Sequence, residues 1–288
     1  MAKKILITGA SGGFGKLTAL SLLKSGRQVV GTMRSMSKSR EVAEELASAG
    51  GDIIEMDVTD EKSVDTGVST AIESMGGLDV VINNAGIGVS GMQEHFTAED
   101  MQKVFDVNVF GVQRVNRASI PFMRKQQSGL IVYVSSLLGR MTLPFFGPYN
   151  ASKWALEALA ENYRTELSRF GIQSCIVEPG GYPTTFMENM ITPSDNSRDE
   201  SYGEFMQAPA AMFGGFEKAL EANKEQRPEK VAEAITNLID THRPDRPFRT
   251  VVDAMGMGDP IKPYNDQQHQ FTHGIYTNFG IEGMLNSN

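Results

Sequence analysis

Cysteine and histidine are both scarce in this sequence of 288 residues. Cys175 is the single cysteine, so no intramolecular disulfide can form, which excludes the class of small secreted domains held together by disulfides. It lies inside the apolar run 172–177, which predicts a buried thiol in a reducing, cytoplasmic protein. The 4 histidines do not have metal-ligand spacing, and we expect no bound metal.

Long apolar runs and an excess of basic residues are also missing. The first apolar run, 5–7, is too short for a signal peptide, and no later run approaches membrane-spanning length. With 35 acidic and 27 basic side chains the formal net charge is −8 at pH 7. Such a charge opposes binding to phosphate backbones and anionic lipids. We therefore expect no nucleic-acid partner and no membrane attachment.

What the sequence does contain is a regular alternation of short apolar runs with longer segments of helical periodicity. The runs predict seven strands, at 4–8, 28–33, 52–56, 78–83, 129–135, 172–178 and 248–253. Helical spacing occurs at 15–25, 38–49, 61–75, 98–125, 148–170 and 228–242. This order predicts a single α/β domain over 1–288, with a doubly wound sheet of seven parallel strands and helices on both faces.

Two segments interrupt the alternation, 180–227 before the last predicted helix and the C-terminal tail 259–288. Structureless stretches of this length inside a compact domain are usually functional. We therefore expect residues from about 181 to 227 to form a lid over a substrate. The aromatic residues of the tail could dock it on a neighbour or over the cleft; the alternative is a floppy terminus.

A glycine-rich turn follows the first predicted strand and opens the first predicted helix. It reads Thr8-Gly9-Ala10-Ser11-Gly12-Gly13-Phe14-Gly15. Backbone N–H groups and the helix dipole can face a pyrophosphate at such a position. The expected dinucleotide contacts are Gly9, Ser11, Gly13, Phe14 and Gly15; the alternative is an ordinary tight turn.

The end of the second predicted strand bears on the choice between NAD and NADP. NAD sites place a carboxylate there, whereas NADP sites place a basic residue that binds the 2′-phosphate. This chain has Arg34, followed by Lys38 and Arg40, and a guanidinium suits bidentate phosphate binding. We expect NADP(H) to be preferred, with NAD(H) as a second option. The alternative is that these are solvated charges at the start of a helix.

Tyr149 and Lys153 are four residues apart at the start of a predicted helix, so they share one face. A free phenol has a pKa of about 10, and a nearby cation lowers that value, so we expect Tyr149 to exchange a proton. Ser135 and Ser136 lie at the end of the fifth predicted strand, and because adjacent strand residues point to opposite faces, only one of the two can point toward a substrate. For an isolated Tyr-xxx-Lys the alternative is a pair of surface residues.

Together these motifs resemble the short-chain dehydrogenase/reductase family. The resemblance implies a Rossmann-type fold and hydride transfer between a nicotinamide and a carbonyl or alcohol, with Tyr149 as general acid and base. It covers residues 3–186 and 228–253 and leaves the lid and the tail outside. The stretches 29–34 and 177–180 are most similar to the hydroxysteroid and retinol dehydrogenase branch.

The resemblance also implies roles for further residues. Asp57 and Val58 would hold the adenine ring, and Asn84, Ala85 and Gly86 would lie beside the cofactor. Taken alone, Asp57 could be a helix cap, and the Asn pair at 83–84 a polar turn.

By its spacing from Tyr149, Ser136 and not Ser135 matches the family's substrate-binding serine, which would hold the substrate carbonyl oxygen together with Tyr149. Asn108 matches the residue that completes the family's tetrad with Ser136, Tyr149 and Lys153, where it holds a water near the lysine and kinks the long helix. The alternative is a plain Asn in a helix. The residues that would orient the nicotinamide carboxamide are Pro179, Gly180 and Thr184, which could otherwise form an ordinary turn after a strand.

Apolar side chains are concentrated around the candidate reaction centre and in the lid. They are Leu137, Leu138, Met141, Leu143, Phe145 and Phe146, and, in the lid, Phe186, Met187, Met190, Phe205, Met206, Met212 and Phe213. They predict an apolar pocket for a lipophilic carbonyl compound or alcohol. The alternative is that they pack lid helices onto the sheet.

Two other functions are compatible with the glycine turn. A non-catalytic NADP(H)-binding sensor would not need the Tyr149–Lys153 pair, and a nucleotide-sugar epimerase-like enzyme uses such a pair but has a larger domain. The pair and the chain length favour an oxidoreductase. By family resemblance, the helices 98–125 and 148–170 should form the interface of a homodimer or homotetramer.

Overall fold

A computed structural model of the chain describes residues 2–285. The strands are β1 Lys4–Ile7, β2 Gln28–Met33, β3 Asp52–Glu55, β4 Val80–Asn83, β5 Gly129–Val134, β6 Ile172–Pro179 and β7 Arg249–Val252. They form one seven-stranded sheet in the order β3-β2-β1-β4-β5-β6-β7, and every pairing is parallel. All seven predicted strands are confirmed, each within two residues of its predicted ends.

Helices connect the strands. They are α1 Gly13–Lys24, α2 Arg40–Ser48, α3 Glu61–Met75, α4 Ala98–Phe105, α5 Val112–Gln126, α6 Gly147–Glu166, α7 Asp199–Tyr202, α8 Ala208–Ala222, α9 Glu229–Asp240 and α10 Ile261–Asn278. Thr97 and Asp100 form a capping box at the start of α4, and the Asp60 side chain accepts the N–H of Ser63 at the start of α3. The predicted α/β architecture is confirmed.

Alternate side chains of each strand enter two separate layers of core. Leu6 and Ile131 pack with residues of α3, α5 and α6 on one face. Ile5 and Ile7 pack with residues of α1, α2 and α9 on the other face. Because helices cover both faces, the strands are nearly continuous apolar runs rather than alternating ones.

The strand order reverses at β1, which lies between β2 and β4. In sheets of this kind, ligands bind beyond the carboxyl ends of the strands where the order reverses. The turn that follows β1 and the segment that follows β4 therefore border the expected binding crevice.

The predicted helix 98–125 is not continuous. The six-residue π-helix Asp106–Gly111 separates α4 from α5. At its end, a Cβ on Gly111 would lie only 2.9 Å from Cγ2 of Val58, so the helix approaches the turn after β3 closely. Such π segments frequently occur at functional sites, and the kink expected of this long helix stays a prediction.

The lid segment and the tail are more ordered than expected. The stretch 180–227 contains α7 and α8, so the expectation of a structureless segment is wrong. Pro209 lies in the first turn of α8, and the ring of Phe216 covers Gly181, where a Cβ would collide with it. The tail forms α10; its residues 286–288 lie outside the described part of the chain. Among the described helices, none has the length and apolarity that a membrane span needs.

The layered core predicts a large difference between a buried and an exposed isoleucine. Ile131 in β5 is 0% exposed, and we expect Ile131→Ala to lower the free energy of unfolding by about 2–5 kcal/mol. Ile275 on α10 is 51% exposed, and Ile275→Ala should change it by about 0.5 kcal/mol or less. Urea unfolding followed by circular dichroism measures both; equal losses would contradict the placement of Ile131 in the core.

Candidate active site

The glycine-rich turn after β1 is tied to the segment after β4. Thr8 Oγ1 accepts the N–H of Asn84 at 3.0 Å and that of Ala85 at 3.1 Å. In return, Asn84 Nδ2 donates to the carbonyl oxygens of Thr8 at 2.9 Å and Gly9 at 3.0 Å. Two motifs that lie far apart in the sequence are thus brought together at the carboxyl end of the sheet.

Two positions of this turn require glycine. Gly9 has φ +70, and a Cβ there would lie 2.8 Å from the Cα of Ala85. A Cβ on Gly15 would collide with the carbonyl oxygen of Gly9 and the side-chain amide of Asn84. Helix α1 begins at Gly13, and the N–H groups of its first turn have no intrahelical acceptors. Bare backbone donors at a helix N-terminus suit a pyrophosphate, so the residues present fit a dinucleotide.

The ends of β2 and β3 border the same edge of the sheet. Ser11 and Arg34 are both exposed there. The Asp57 carboxylate accepts the N–H of Thr59 at 2.9 Å and its hydroxyl at 2.7 Å. Asp60, not Asp57, caps α3, so the alternative interpretation of Asp57 as the helix cap is wrong. The adenine contacts of Asp57 and Val58 stay predictions.

The segment after β6 reaches back to the glycine turn. Pro179 ends β6, and the Gly180 N–H donates to a carbonyl of β7 at 2.9 Å. Thr184 lies beside Gly13: a Cβ added to Gly13 would be 3.7 Å from the Cβ of Thr184. The rings of Phe14 and Tyr182 meet edge to face, with centroids 5.5 Å apart. Tyr182 was not predicted from the sequence, because it belongs to no motif.

Tyr149 and Lys153 lie together on α6, and both are buried. Lys153 Nζ lies 5.6 Å from the centre of the Tyr149 ring and donates to the carbonyl oxygen of Val134 at 2.9 Å. The Ser136 hydroxyl lies beside the Tyr149 phenol, close enough to act on the pKa of that group. Ser135 points to the other side, against Gly139, so Ser136 is the serine that faces the tyrosine.

Burial acts on both titratable groups. It raises the pKa of Tyr149 to about 12, and the hydrogen bond from Ser136 acts in the opposite direction. Burial also lowers the pKa of Lys153 to about 8, against the effect of the Glu157 carboxylate. The expectation that Lys153 lowers the pKa of Tyr149 below its usual value is therefore wrong in this structure, because the loss of hydration penalises the phenolate. Tyr149 is protonated at neutral pH, the form that donates a proton.

Asn108 lies inside the π-helix and uses its side-chain amide to fix the backbone after β4. Its Nδ2 donates to the Ile87 carbonyl at 2.9 Å and to the Ser152 hydroxyl at 3.0 Å, and its Oδ1 accepts the Ile87 N–H at 2.9 Å. Gly86 packs beside it, since a Cβ there would lie 3.3 Å from Asn108 Oδ1 and 3.8 Å from Lys153 Nζ. The structure brings Asn108, Gly86 and Lys153 together; the role of Asn108 in holding a water stays a prediction.

An apolar cluster surrounds the Tyr149 ring. Its members are Val89, Phe96 and Val104, with Ile87, Leu138, Phe186 and Ile191 packed against them. The Phe186 ring of the lid lies 5.6 Å from that of Tyr149. The lid is held there by backbone hydrogen bonds from Ile191 to Gly88 at 2.9 Å and from Ser90 to Ile191 at 3.0 Å. The sequence predicted Leu138 and Phe186 at this place but missed Val89, Phe96 and Val104.

Sequence reasoning also missed a group of buried charges next to Lys153. They are Arg140, Glu157, Glu161, Glu178 and Arg249. One indication of this group was present in the sequence: Glu157 and Glu161 continue the four-residue spacing of Tyr149 and Lys153 along the predicted helix. Among residues 2–285, no group of three or more His, Cys, Asp or Glu side chains could hold a metal ion.

Comparison with known proteins places these features in a family. A family model described as short chain dehydrogenase matches residues 3–195. The 3-ketodihydrosphingosine reductase of Bacteroides thetaiotaomicron is 36% identical over 253 residues, which are 86% of this chain and 87% of that protein. Human retinol dehydrogenase 8 is 32% identical over 255 residues, 84% of this chain and 79% of the relative.

A solved structure agrees with the fold. The short-chain dehydrogenase from Streptomyces avermitilis superposes with a TM-score of 0.76 at 29% identity, covering 97% of this chain and 98% of that one. The chain therefore belongs to the short-chain dehydrogenase family and is an oxidoreductase of that family acting on CH–OH groups.

Proposed function

We propose that this chain is an NADP(H)-dependent oxidoreductase that interconverts a carbonyl and an alcohol on a lipophilic small molecule. One observation carries the proposal: a buried phenol, Tyr149, lies beside the Ser136 hydroxyl and shares a helix face with Lys153, at the carboxyl end of the sheet. Two hydroxyls that converge on one point can hold and protonate a carbonyl oxygen.

The cofactor would lie along the carboxyl ends of β1, β4 and β6. The residues that would hold it are Gly9, Ser11, Gly13, Phe14, Gly15, Arg34, Asp57, Val58, Asn84, Ala85, Gly86, Tyr149, Lys153, Pro179, Gly180 and Thr184. When bound, a nicotinamide dinucleotide supplies or accepts the hydride. Arg34 is exposed after β2, which supports NADP(H) over NAD(H), because a free guanidinium can bind a 2′-phosphate.

The side chains of the chain divide the remaining work. Ser136 orients the substrate oxygen, and Tyr149 donates the proton in carbonyl reduction or accepts it in alcohol oxidation. Lys153 holds positive charge beside the phenol and favours the phenolate when Tyr149 gives up its proton. Asn108 fixes the segment after β4 against α6, and we infer that it also holds the water that returns a proton to Lys153.

The apolar cluster around Tyr149 supports a lipophilic substrate. A ketone or alcohol on a hydrocarbon chain or ring could lie against Phe186 and Leu138 while its oxygen reaches Ser136. The names of two relatives, a ketodihydrosphingosine reductase and a retinol dehydrogenase, agree with this class. A panel of aldehydes, ketones and alcohols, followed by NADPH absorbance, tests the proposal; inactivity on all of them would contradict it.

Binding measurements beside this assay separate the two other functions. NADPH binding without turnover of any carbonyl compound would favour a sensor. Thermal stabilisation by a UDP-sugar would favour an epimerase-like enzyme. The buried Tyr149–Lys153 pair supports catalysis over sensing, because a sensor has no need of a buried acid and base.

We also infer that the chain forms a homodimer or homotetramer through the helical regions 98–125 and 148–170, in the cytoplasm. Phe110 and Trp154 are large exposed apolar residues on the π-helix and on α6, which supports a contact between subunits there. Cys175 is buried and unpaired, as suits a reducing compartment, and burial raises the pKa of its thiol to about 12.

Removing the Tyr149 hydroxyl should abolish most of the activity. We expect Tyr149→Phe to lower kcat by about 100-fold or more, because the proton donor is lost, with little change in NADPH affinity. Steady-state kinetics and a fluorescence titration with NADPH measure both. Tyr163→Phe is the matched control, since the Tyr163 hydroxyl lies further along α6 and bonds Gln113. Undiminished turnover in Tyr149→Phe would contradict the proposed role.

The two directions of the reaction should differ in their dependence on pH. Because the pKa of Tyr149 is raised to about 12, its protonated form persists, and carbonyl reduction should stay constant up to the pKa of Lys153, about 8, and then decline. Alcohol oxidation needs the phenolate and should rise with pH over the same range. Initial rates in both directions across pH test this; oxidation that does not vary with pH would count against it.

The proposed 2′-phosphate contact predicts a change in cofactor selectivity. We expect Arg34→Ala to weaken NADPH binding by about tenfold or more and to leave NADH binding nearly unchanged, because NADH has no 2′-phosphate. Lys24→Ala, which removes an exposed cation at the far end of α1, should change neither affinity. Equal weakening of both cofactors in Arg34→Ala would contradict the assignment.

A further inference from the structure

Five charged side chains form a buried ion cluster that the proposed chemistry does not use. Its members are Arg140, Glu157, Glu161, Glu178 and Arg249. Arg140 Nη2 lies 3.0 Å from Glu157 Oε2 and 2.9 Å from Glu161 Oε1. Arg249 Nε lies 3.1 Å from the same Glu157 oxygen, and each guanidinium is 3.4 Å from Glu178 Oε1. The Glu157 carboxylate is therefore paired with two guanidinium groups, those of Arg140 and Arg249.

The cluster adjoins the candidate reaction centre along α6. Tyr149, Lys153, Glu157 and Glu161 are spaced four apart and so share one face of the helix. The first three are buried, whereas the Glu161 side chain is 30% exposed. Glu157 is thus the charged group one turn beyond Lys153, on the side away from Tyr149.

The charges of the cluster do not balance by themselves. Three carboxylates face two guanidiniums, and Glu178 is 0% exposed. A buried charge without a counter-charge is costly, so the excess negative charge favours a further cation nearby. Lys153 is a buried cation one turn away from Glu157 on α6. From α10, neutral amides complete the surroundings: Asn265 donates to Glu178 at 2.6 Å and Gln268 to Glu161 at 3.1 Å.

We propose that Glu157 is a positioning residue: held by Arg140 and Arg249, its carboxylate is the counter-ion of Lys153 and sets the pH range in which Lys153 keeps its proton. The charge coupling stands independently of the substrate, and its consequence for the reaction rests on the proposed function.

The directions of the pKa shifts agree with this geometry. Burial lowers the pKa of Lys153, and Glu157 acts against that effect. Burial, and after it Glu178, raises the pKa of Glu157 to about 8, while Arg140 opposes the rise, so Glu157 and Lys153 titrate in the same pH range. Their titrations are therefore coupled, and ionisation of Glu157 makes Lys153 hold its proton more firmly. Lys153 therefore stays charged to a higher pH than burial alone would allow, and loss of the carboxylate must lower its pKa.

The test measures the charge of Lys153 directly in the full-length protein without added nucleotide. Lysine labelled with ¹³C at Cε is titrated by NMR, and Lys153→Met identifies the Lys153 signal. We expect Glu157→Gln to lower the pKa of Lys153 by about one pH unit or more. Glu166→Gln removes an exposed carboxylate from the same helix and should leave it unchanged. An unchanged Lys153 pKa in Glu157→Gln overturns the inference.

Further variants keep the test decisive if Glu157→Gln does not fold. Glu161→Gln removes the half-buried carboxylate of the cluster and should shift the Lys153 pKa in the same direction by a smaller amount, whereas Glu157→Asp keeps the charge and should restore most of the wild-type value. No shift in Glu161→Gln would overturn the inference.

Activity provides the second readout and separates the two proposals. In Glu157→Gln, the alkaline decline of carbonyl reduction should move to lower pH by the same amount as the Lys153 signal, with the KM for NADPH unchanged. A shifted signal in a protein that reduces no carbonyl compound supports the charge coupling and overturns only the proposed function. A shifted signal with an unmoved rate profile overturns the catalytic consequence.

Discussion

Hydrogen bonds between the ends of β1 and β4 fix the geometry on which the rest of the site depends. Thr8 accepts two backbone N–H groups from the β4 side, and Asn84 returns two bonds to the β1 side. Because the strand order reverses at β1, this contact aligns the glycine turn with the segment that leads to Asn108 and the lid. The two backbones come so close that Gly9 and Gly15 tolerate no side chain.

Exclusion of water has opposite consequences for Tyr149 and Lys153 on α6. It keeps the Tyr149 phenol neutral, which suits a proton donor, and it weakens Lys153 as a cation, which does not. A buried carboxylate one turn away compensates for the second effect, and two guanidiniums hold it in place. The proton affinities of this site are therefore set by a balance between burial and fixed charge.

The sheet could be predicted closely because a parallel strand covered on both faces is an apolar run with clear ends, as at 28–33. The π-helix could not be predicted, since no composition distinguishes it from the helices on either side. The lid helix α8 was missed because no alternation with a strand marks it. Its apolar residues Met212, Phe213 and Phe216 nevertheless have helical spacing.

The candidate site likewise contains residues that could be predicted from the sequence and residues that could not. Residues that belong to ordered motifs, among them Ser136, Tyr149 and Lys153, lie together as the spacing indicated. The direction of the Tyr149 pKa was predicted wrongly, because the degree of burial is a property of packing and not of spacing. Arg140, Glu178 and Arg249 are far apart in the chain, and only the folded structure brings them to Glu157.

Helix α10 lies beyond residue 195, where the match to the family model ends, yet Asn265 and Gln268 donate hydrogen bonds to acids of β6 and α6. The C-terminal part of the chain is therefore not an interchangeable appendage. A chimera that took this part from a relative without Arg249 and these two amides would leave Arg140 as the one cation of the cluster, facing Glu157, Glu161 and Glu178. Substitution of Arg249, Asn265 or Gln268 would therefore act on acids that lie before residue 195.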